Sequence, residues 1–174
     1  MRKVEWELNL NSADSIHQCG VQVTNALITQ HRKFKYFIDY VCQEIEIVAQ
    51  RYFDNAEMDI RVRDGSAISP KIEVTYDPNL KIVYARGDDF VFVEFGAGVY
   101  FNGYSSEHPP VPDAPISLEM GSFGKGHGIQ TTWGFKDDNK ELVLTHGTPM
   151  QAPLYYACEH VVQEIYNIAK EVFG

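Results

Sequence analysis

A repeat of apolar residues between positions 34 and 52 constrains the fold of this chain more than any other feature. The apolar side chains recur at intervals of four and three residues, with charged and amide side chains between them. This period is that of a helix with one apolar face. The pattern predicts a long amphipathic helix that begins near residue 31 and carries Phe34, Ile38, Val41, Ile45, Val48 and Tyr52 on that face.

Two further features of this region bear on the helix and its contacts. Ser12 and Asp14 offer N-cap chemistry for a preceding helix that continues to about Gln30. Phe37 and Tyr40 widen the apolar stripe of the long helix beyond what one sheet face requires. A contact with another subunit would account for them, and a broad intramolecular core would do so equally well.

Beyond residue 55 the apolar period changes from helical spacing to two, which is typical of half-buried strands. Strands are predicted over 58–62, 71–76, 80–85 and 90–95, with a further strand near the N-terminus over 4–10. A second hairpin is predicted from 130–135 and 141–146, turned by 137–140. Helices followed by antiparallel strands indicate the α+β class, with an antiparallel sheet packed against the long helix and a C-terminal helix.

The last helix has two possible starting points in the sequence. Thr148 and Gln151 have capping-box spacing with a proline at the first helical position, although Pro153 could equally be that first residue. From Leu154 onward the apolar residues recur at helical spacing as far as Val172. The opposite face is polar, which predicts a helix lying on a sheet or beside the long helix.

The segment 90–98 combines Val and Phe residues with one carboxylate, Glu94, and with the glycines Gly96 and Gly98. Val and Phe favour a pleated, packed strand. The glycines favour a turn with positive φ. A carboxylate at this point is explained most simply by a strand end that is partly solvated.

Length and composition predict one domain over 1–174, with an extended loop insertion at about 98–129 where Gly and Pro accumulate. A net charge of −9 argues against tight binding to duplex DNA. Neither a leader peptide nor a long apolar run is evident, so we expect no secretion and no membrane contact. The three cysteines are predicted to be buried, reduced thiols, with a disulfide as the alternative.

No cofactor motif emerges from the sequence. The Gly-rich run at 121–128 lacks the spacing of a phosphate-binding loop. A zinc site would need loop residues such as His108 or His127. One enzymatic alternative remains, a metal-dependent nuclease or hydrolase whose acidic cluster would consist of Glu73, Asp88, Asp89 and Glu94.

The order of these features resembles a known family. The resemblance is carried by Val-Glu-Phe-Gly-Ala-Gly at 93–98, by an aromatic hairpin with Trp133, and by Gly-Thr-Pro-Met-Gln-Ala-Pro-Leu-Tyr at 147–155 before the last helix. The chain resembles the tail-completion or neck (minor capsid) family of long-tailed bacteriophages over about 12–173. It departs from the family pattern at Ala97, Ala152 and Leu154, where threonine, a basic residue and phenylalanine are usual.

The resemblance implies a virion protein without enzymatic activity or cofactor. It implies a homo-oligomer, a hexameric ring at the head-tail junction that is assembled in the host bacterial cytoplasm. Its partners would be the head-tail connector and the tail tube or tail terminator, and DNA would pass through the lumen without specific binding. The residues predicted to act in assembly are Glu94, Gly96, Gly98, Phe37, Tyr40, Pro149, Met150, Pro153 and Tyr155. Of these, Glu94, Gly96 and Gly98 are expected to set the root of the loop, with 149–155 packed near it, and Glu94 to pair with backbone or with a neighbouring subunit.

Overall fold

The computed structural model describes residues 12–97 and 131–174, and helix α1 dominates the first of these ranges. α1 spans Ala13–Asp54, 42 residues, and is about 63 Å long. Ser12 is its N-cap, as predicted, with its hydroxyl oxygen accepting a hydrogen bond from the Ser15 N–H at 3.3 Å. The two predicted helical segments form one helix because no glycine or proline interrupts the backbone hydrogen bonds between them. Gly20 lies inside the first segment, where the helix tolerates it at a cost of about 1 kcal/mol relative to alanine.

The first predicted hairpin is confirmed. Strands β1 (Glu73–Asp77) and β2 (Ile82–Arg86) are antiparallel, with Tyr76 opposite Val83. The Asp77 carboxylate closes the turn by accepting from the Asn79 N–H at 2.7 Å and from the Leu80 N–H at 3.2 Å. This is the turn chemistry that aspartate at the first position favours.

Side chains of α1 bind the edge of β1 that β2 leaves free. The Glu46 carboxylate accepts from the Tyr76 N–H at 3.0 Å, and the side-chain amide oxygen of Gln50 accepts from the Val74 N–H at 2.7 Å. The Gln50 amide also donates to the Ile72 carbonyl at 3.0 Å. Glu46 and Gln50 are four residues apart, a rise of about 6 Å along a helix, and Val74 and Tyr76 are two residues apart, about 6.8 Å along a strand. The acceptors on α1 therefore match the spacing of the N–H groups on β1.

The segment predicted as the strand 90–95 is instead helix α2, Phe90–Phe95. Helical geometry places the Phe90 ring 5.9 Å from the Phe53 ring and buries Val93 completely. Burial against α1 therefore outweighs the strand preference of Val and Phe, which depends on context. A strand over 58–62 is also absent, because Asp59 adopts a φ of 51° that interrupts the extended backbone.

The second predicted hairpin is confirmed as β3 (Trp133–Lys136) and β4 (Leu142–Thr145). Among the described residues it forms a two-stranded sheet separate from the β1–β2 sheet. One backbone bridge, between Arg61 and Thr145, joins it to the segment after α1. The predicted α+β class is thus confirmed, with the strands divided between two hairpins.

Helix α3 spans Pro153–Phe173 and begins at the proline rather than at the capping-box position. It runs antiparallel to the C-terminal half of α1: its last ring, Phe173, lies 5.7 Å from the Phe37 ring, and its start lies beside the end of α1. The core between the two helices, β1 and α2 comprises Val48, Ala49, Phe53, Ala56, Ile72, Val74, Val93 and Ala157.

Several predictions fall outside the described residues: the strand at 4–10, Gly98, the loop at 98–129, and the loop histidines His108 and His127. The three cysteines are free thiols, as predicted, although each is only partly buried. None of the helices in 12–97 and 131–174 combines the length and the apolar character needed to cross a membrane.

We expect Gln50→Ala to destabilise the protein by about 1–3 kcal/mol, because it leaves the Val74 N–H and the Ile72 carbonyl without partners. Urea unfolding followed by circular dichroism measures the change. Gln43→Ala, at an exposed site on the same helix, is the control and should shift the free energy of unfolding by less than about 0.5 kcal/mol. Equal effects of the two substitutions would contradict this role for Gln50.

Candidate functional site

Two segments that are far apart in the sequence meet at the start of α3. The Ala97 N–H donates to the Thr148 carbonyl at 2.8 Å, and the Thr148 N–H donates to the Ala97 carbonyl at 3.1 Å. The Gln151 N–H donates to the Val93 carbonyl at 3.0 Å. We call residues 93–97 and 148–155 together the junction. It stands at the root of the segment that begins at residue 98.

Glu94 caps helix α3 from outside that helix. Its two carboxylate oxygens accept from the Leu154 N–H at 3.0 Å and from the Tyr155 N–H at 3.1 Å. The first N–H groups of a helix have no partner within it, and a polar N-cap side chain usually binds them. The N-cap of α3 is Ala152, which has no such side chain, and Pro153 has no N–H. The carboxylate of α2 therefore fills the role of an N-cap residue.

Burial and hydrogen bonding act on the Glu94 carboxyl in opposite directions. The side chain is 5% exposed, and its burial raises the pKa of the carboxyl above the ordinary value. The hydrogen bonds from the Leu154 and Tyr155 backbones favour the charged form and lower the pKa, but burial is the larger cause. Glu94 thus lies inside the protein and pairs with backbone, one of the two roles expected of it, and not at the solvated strand end that its neighbouring residues suggested.

Gly96 is required where α2 meets Met150. Its φ of 75° lies in the region that favours glycine, and a Cβ there would stand 2.9 Å from the Met150 backbone nitrogen. Met150 is itself almost fully buried. Ala152, two residues later, has a left-handed φ of 46°. A non-glycine residue in this region costs about 1–2 kcal/mol, so contacts of the junction hold the backbone in this shape.

The junction also binds the chain that leaves α1. The Gln151 side chain accepts from the Glu57 N–H at 3.1 Å and donates to the Glu57 carbonyl. The Thr148 hydroxyl accepts from the Asp59 N–H at 3.1 Å. The sequence marks Thr148 and Gln151 as a possible capping box and as part of the segment that carries the resemblance, but it does not indicate these hydrogen-bond partners. Their spacing drew attention to them, but their partners are almost a hundred positions away.

The structure brings most of the predicted assembly residues into the junction: Glu94, Gly96, Pro149, Met150, Pro153 and Tyr155. Phe37 and Tyr40 lie at the opposite end of α3. The Phe37 ring packs 5.7 Å from the Phe173 ring, and the Tyr40 hydroxyl donates to the Glu171 carboxylate at 3.5 Å. Both residues are half-buried and serve the contact between α1 and α3.

Only two of the four carboxylates of the nuclease alternative, Asp88 and Asp89, line a common cleft among the described residues. Glu94 faces α3, and the Asp89 carboxylate accepts from the Lys71 N–H at 3.2 Å. Glu73 and Asp88 are exposed. Within residues 12–97 and 131–174, no three histidine, cysteine or acidic side chains are grouped so that they could hold a metal ion.

A cleft of about 680 Å³ opens beside the junction. Its walls combine aromatic rings with carboxylates, and Ala97 and Thr148 of the junction form part of one wall. The sequence drew attention to this cleft through Trp133 of the aromatic hairpin and through Asp88 and Asp89 of the nuclease alternative. The other residues that shape the cleft include Asp59, Phe92, Phe135 and Asp138.

Comparison of the chain with protein-family models, with curated proteins and with solved structures finds no match.

Glu94→Ala should lower the free energy of unfolding by about 2–4 kcal/mol, because two partly buried N–H groups at the start of α3 lose the carboxylate that accepts from them. Chemical unfolding measures this loss. The matched control is Glu141→Ala, at an exposed position in the β3–β4 hairpin, which should change stability by less than about 0.5 kcal/mol. A loss no larger than that of the control would refute the capping role.

The charge of Glu94 should also make stability depend on pH. Burial raises its pKa in the folded protein above the ordinary value of 4.5, so the folded state holds the proton more tightly than the unfolded state. The resulting stabilisation is complete below 4.5 and is lost as the pH rises through the folded-state pKa. As the pH rises from 4.5 through the folded-state pKa of Glu94, we expect the free energy of unfolding of the wild type to fall relative to that of Glu94→Gln.

Urea unfolding of both proteins at pH values from about 4 to 8 tests this expectation. The neighbouring Cys158 thiol does not interfere, because burial and the Glu94 charge raise its pKa further above this range. Parallel stability curves for the two proteins would show that Glu94 does not titrate differently in the folded state.

Proposed function

We propose that this protein is a structural component of the head-tail junction of a long-tailed bacteriophage, where copies form a ring around the DNA path. One observation carries the proposal. The two short segments on which the resemblance rests, 93–98 and 147–155, are separated by about fifty residues, yet their described parts bind each other directly in the junction. Motifs that merely shared an order by chance would have no reason to form one bonded unit.

The junction also suits a role in assembly. Backbone hydrogen bonds fix the root of the segment 98–129 to residues 148–151 at the start of α3, and the Gln151 and Thr148 side chains bind the chain that leaves α1. A rigid root would position that segment for contacts with the head-tail connector, the tail tube or the tail terminator. The net charge of −9 suits a DNA conduit, because repulsion between like charges keeps the polymer from adhering to the lumen.

The metal-dependent nuclease is the second candidate, and the geometry favours it less. Its acidic cluster would need Glu94, but both carboxylate oxygens of that residue are bound to the backbone of α3. Metal-dependent cleavage of nucleic acid that is lost in both Glu94→Ala and Glu94→Gln would favour this candidate. Glu94→Gln is the decisive variant, because it keeps one acceptor for α3 and should remain folded.

We expect the purified wild type to form a closed ring, with a mass of about six chains by light scattering and a ring in averaged electron micrographs. The measurement should cover concentrations up to about the millimolar range, because association of subunits depends on their concentration. A protein that stays monomeric throughout, and that does not enter particles when supplied to a lysate making phage necks, would contradict the proposal.

A further inference from the structure

The cleft beside the junction carries an excess of negative charge that the proposed function does not use. The acidic residues that line it are Asp59, Asp88, Asp89 and Asp138. One lysine, Lys71, lines it as well. In the part of the chain that the structure describes, none of these four carboxylates forms a salt bridge with a lysine or an arginine; the pair found there, Lys81 with Asp39, lies outside the cleft.

Asp59 differs from the other acidic residues because it is almost fully buried. It is 6% exposed, whereas Asp88 and Asp138 are exposed. Its backbone N–H donates to the Thr148 hydroxyl, but no donor within 12–97 or 131–174 is bound to its carboxylate. The carboxylate oxygens are not sealed from solvent, and the open space that Asp59 borders is the cleft. Because burial without a partner costs free energy, this carboxylate favours a ligand that brings a donor.

Aromatic rings form another part of the lining. Trp133 and Phe135 are two residues apart in β3, which places them on one face of the hairpin, and their ring centroids are 5.9 Å apart. Phe92 of α2 also lines the cleft. Ring faces attract organic cations, and apolar surface accepts the methylene stem of a lysine or arginine side chain.

The distribution of the carboxylates suits an organic cation better than a metal ion. The four aspartates come from three parts of the chain: the segment after α1, the turn between β2 and α2, and the turn between β3 and β4. Among the described residues no three metal-binding side chains are grouped. A hard metal ion needs several oxygen ligands around one point, whereas an ammonium or guanidinium group is bound by one or two carboxylates and an aromatic ring.

We propose that the cleft binds a short segment of a partner protein in which arginine or lysine residues alternate with apolar ones. One cation binds the Asp59 carboxylate while its stem packs against Trp133 and Phe135. A second cation is attracted by the exposed Asp88 and Asp138. The volume of about 680 Å³ lies within the range of about 300–1,000 Å³ of pockets that hold ligands larger than a single ion. All the lining residues belong to one chain, so the inference stands apart from the proposed ring.

Titration calorimetry with a capped peptide, acetyl-Leu-Arg-Leu-Arg-Leu-amide, tests the proposal. The peptide should bind one-to-one with a dissociation constant below about 1 mM. The matched control peptide carries citrulline, which has the shape of arginine without its charge, and should bind about tenfold more weakly or less. In a Trp6→Phe variant Trp133 is the only tryptophan, so a change in its fluorescence on binding places the peptide in the cleft.

Asp59→Asn is the sharpest protein variant. Asp59 has a φ of 51°, and asparagine tolerates this left-handed region as aspartate does, so the substitution removes the charge and keeps the backbone. Affinity for the arginine peptide should fall about tenfold or more, with the thermal unfolding midpoint unchanged. Glu73→Gln with Glu164→Gln is the control, since both residues are exposed and lie outside the cleft; affinity should change by less than about twofold.

Two further variants change the exposed charges of the cleft. Asp88→Asn with Asp138→Asn should weaken binding of the arginine peptide about threefold or more. Lys71→Ala should strengthen binding about twofold, because it removes the lysine that repels a cationic ligand. Both variants alter exposed side chains and should keep the stability of the wild type.

Several results would overturn the proposal. They are the absence of saturable binding, equal affinities for the arginine and citrulline peptides, and an unchanged affinity in a folded Asp59→Asn variant. If Asp59→Asn does not fold, unchanged affinity in Asp88→Asn with Asp138→Asn has the same meaning. Spermidine, a free polyamine, should bind more weakly than the peptide because it has no apolar side chains; tighter binding of spermidine would show that a protein segment is not the ligand.

Discussion

The capping of α3 by Glu94 is the interaction on which the rest of this structure depends. Helix α3 begins with an alanine in a left-handed conformation and a proline without an N–H, so its own sequence offers no acceptor for its first turn. A buried carboxylate on α2 supplies that acceptor at both free N–H groups. Because an unsatisfied buried donor costs about 1–3 kcal/mol, the start of α3 and the position of α2 are fixed together.

The same contact explains why the neighbouring backbone is so constrained. With Glu94 bound to α3, the chain must turn at Gly96 within reach of Met150, and only glycine fits there without a clash. The paired hydrogen bonds between Ala97 and Thr148 then bring the chain to residue 98 at a defined point. Strain at Ala152 and burial of the Glu94 carboxyl are offset by this network of hydrogen bonds.

Helix α1 has two roles that divide along its length. Its C-terminal half forms the core with α3 and binds the free edge of β1 through Glu46 and Gln50, which keeps that edge from pairing with another chain. Its N-terminal half projects with apolar side chains exposed. One uninterrupted helix is a stiff connection, so any contact made at the projecting end is held at a fixed distance from the junction.

The sequence by itself determined the long helix, both hairpins, the last helix and the α+β class, because apolar periodicity and turn residues act over short distances. It also singled out Glu94, Gly96 and the segment 149–155, and it left open whether Glu94 would pair with backbone or with a neighbouring subunit. Only the tertiary structure decided that 90–95 is helical, that Glu94 caps α3, and that Phe37 and Tyr40 pack within the chain. In each case the deciding partner lies about forty or more positions away, and local propensity carries no information about such a partner.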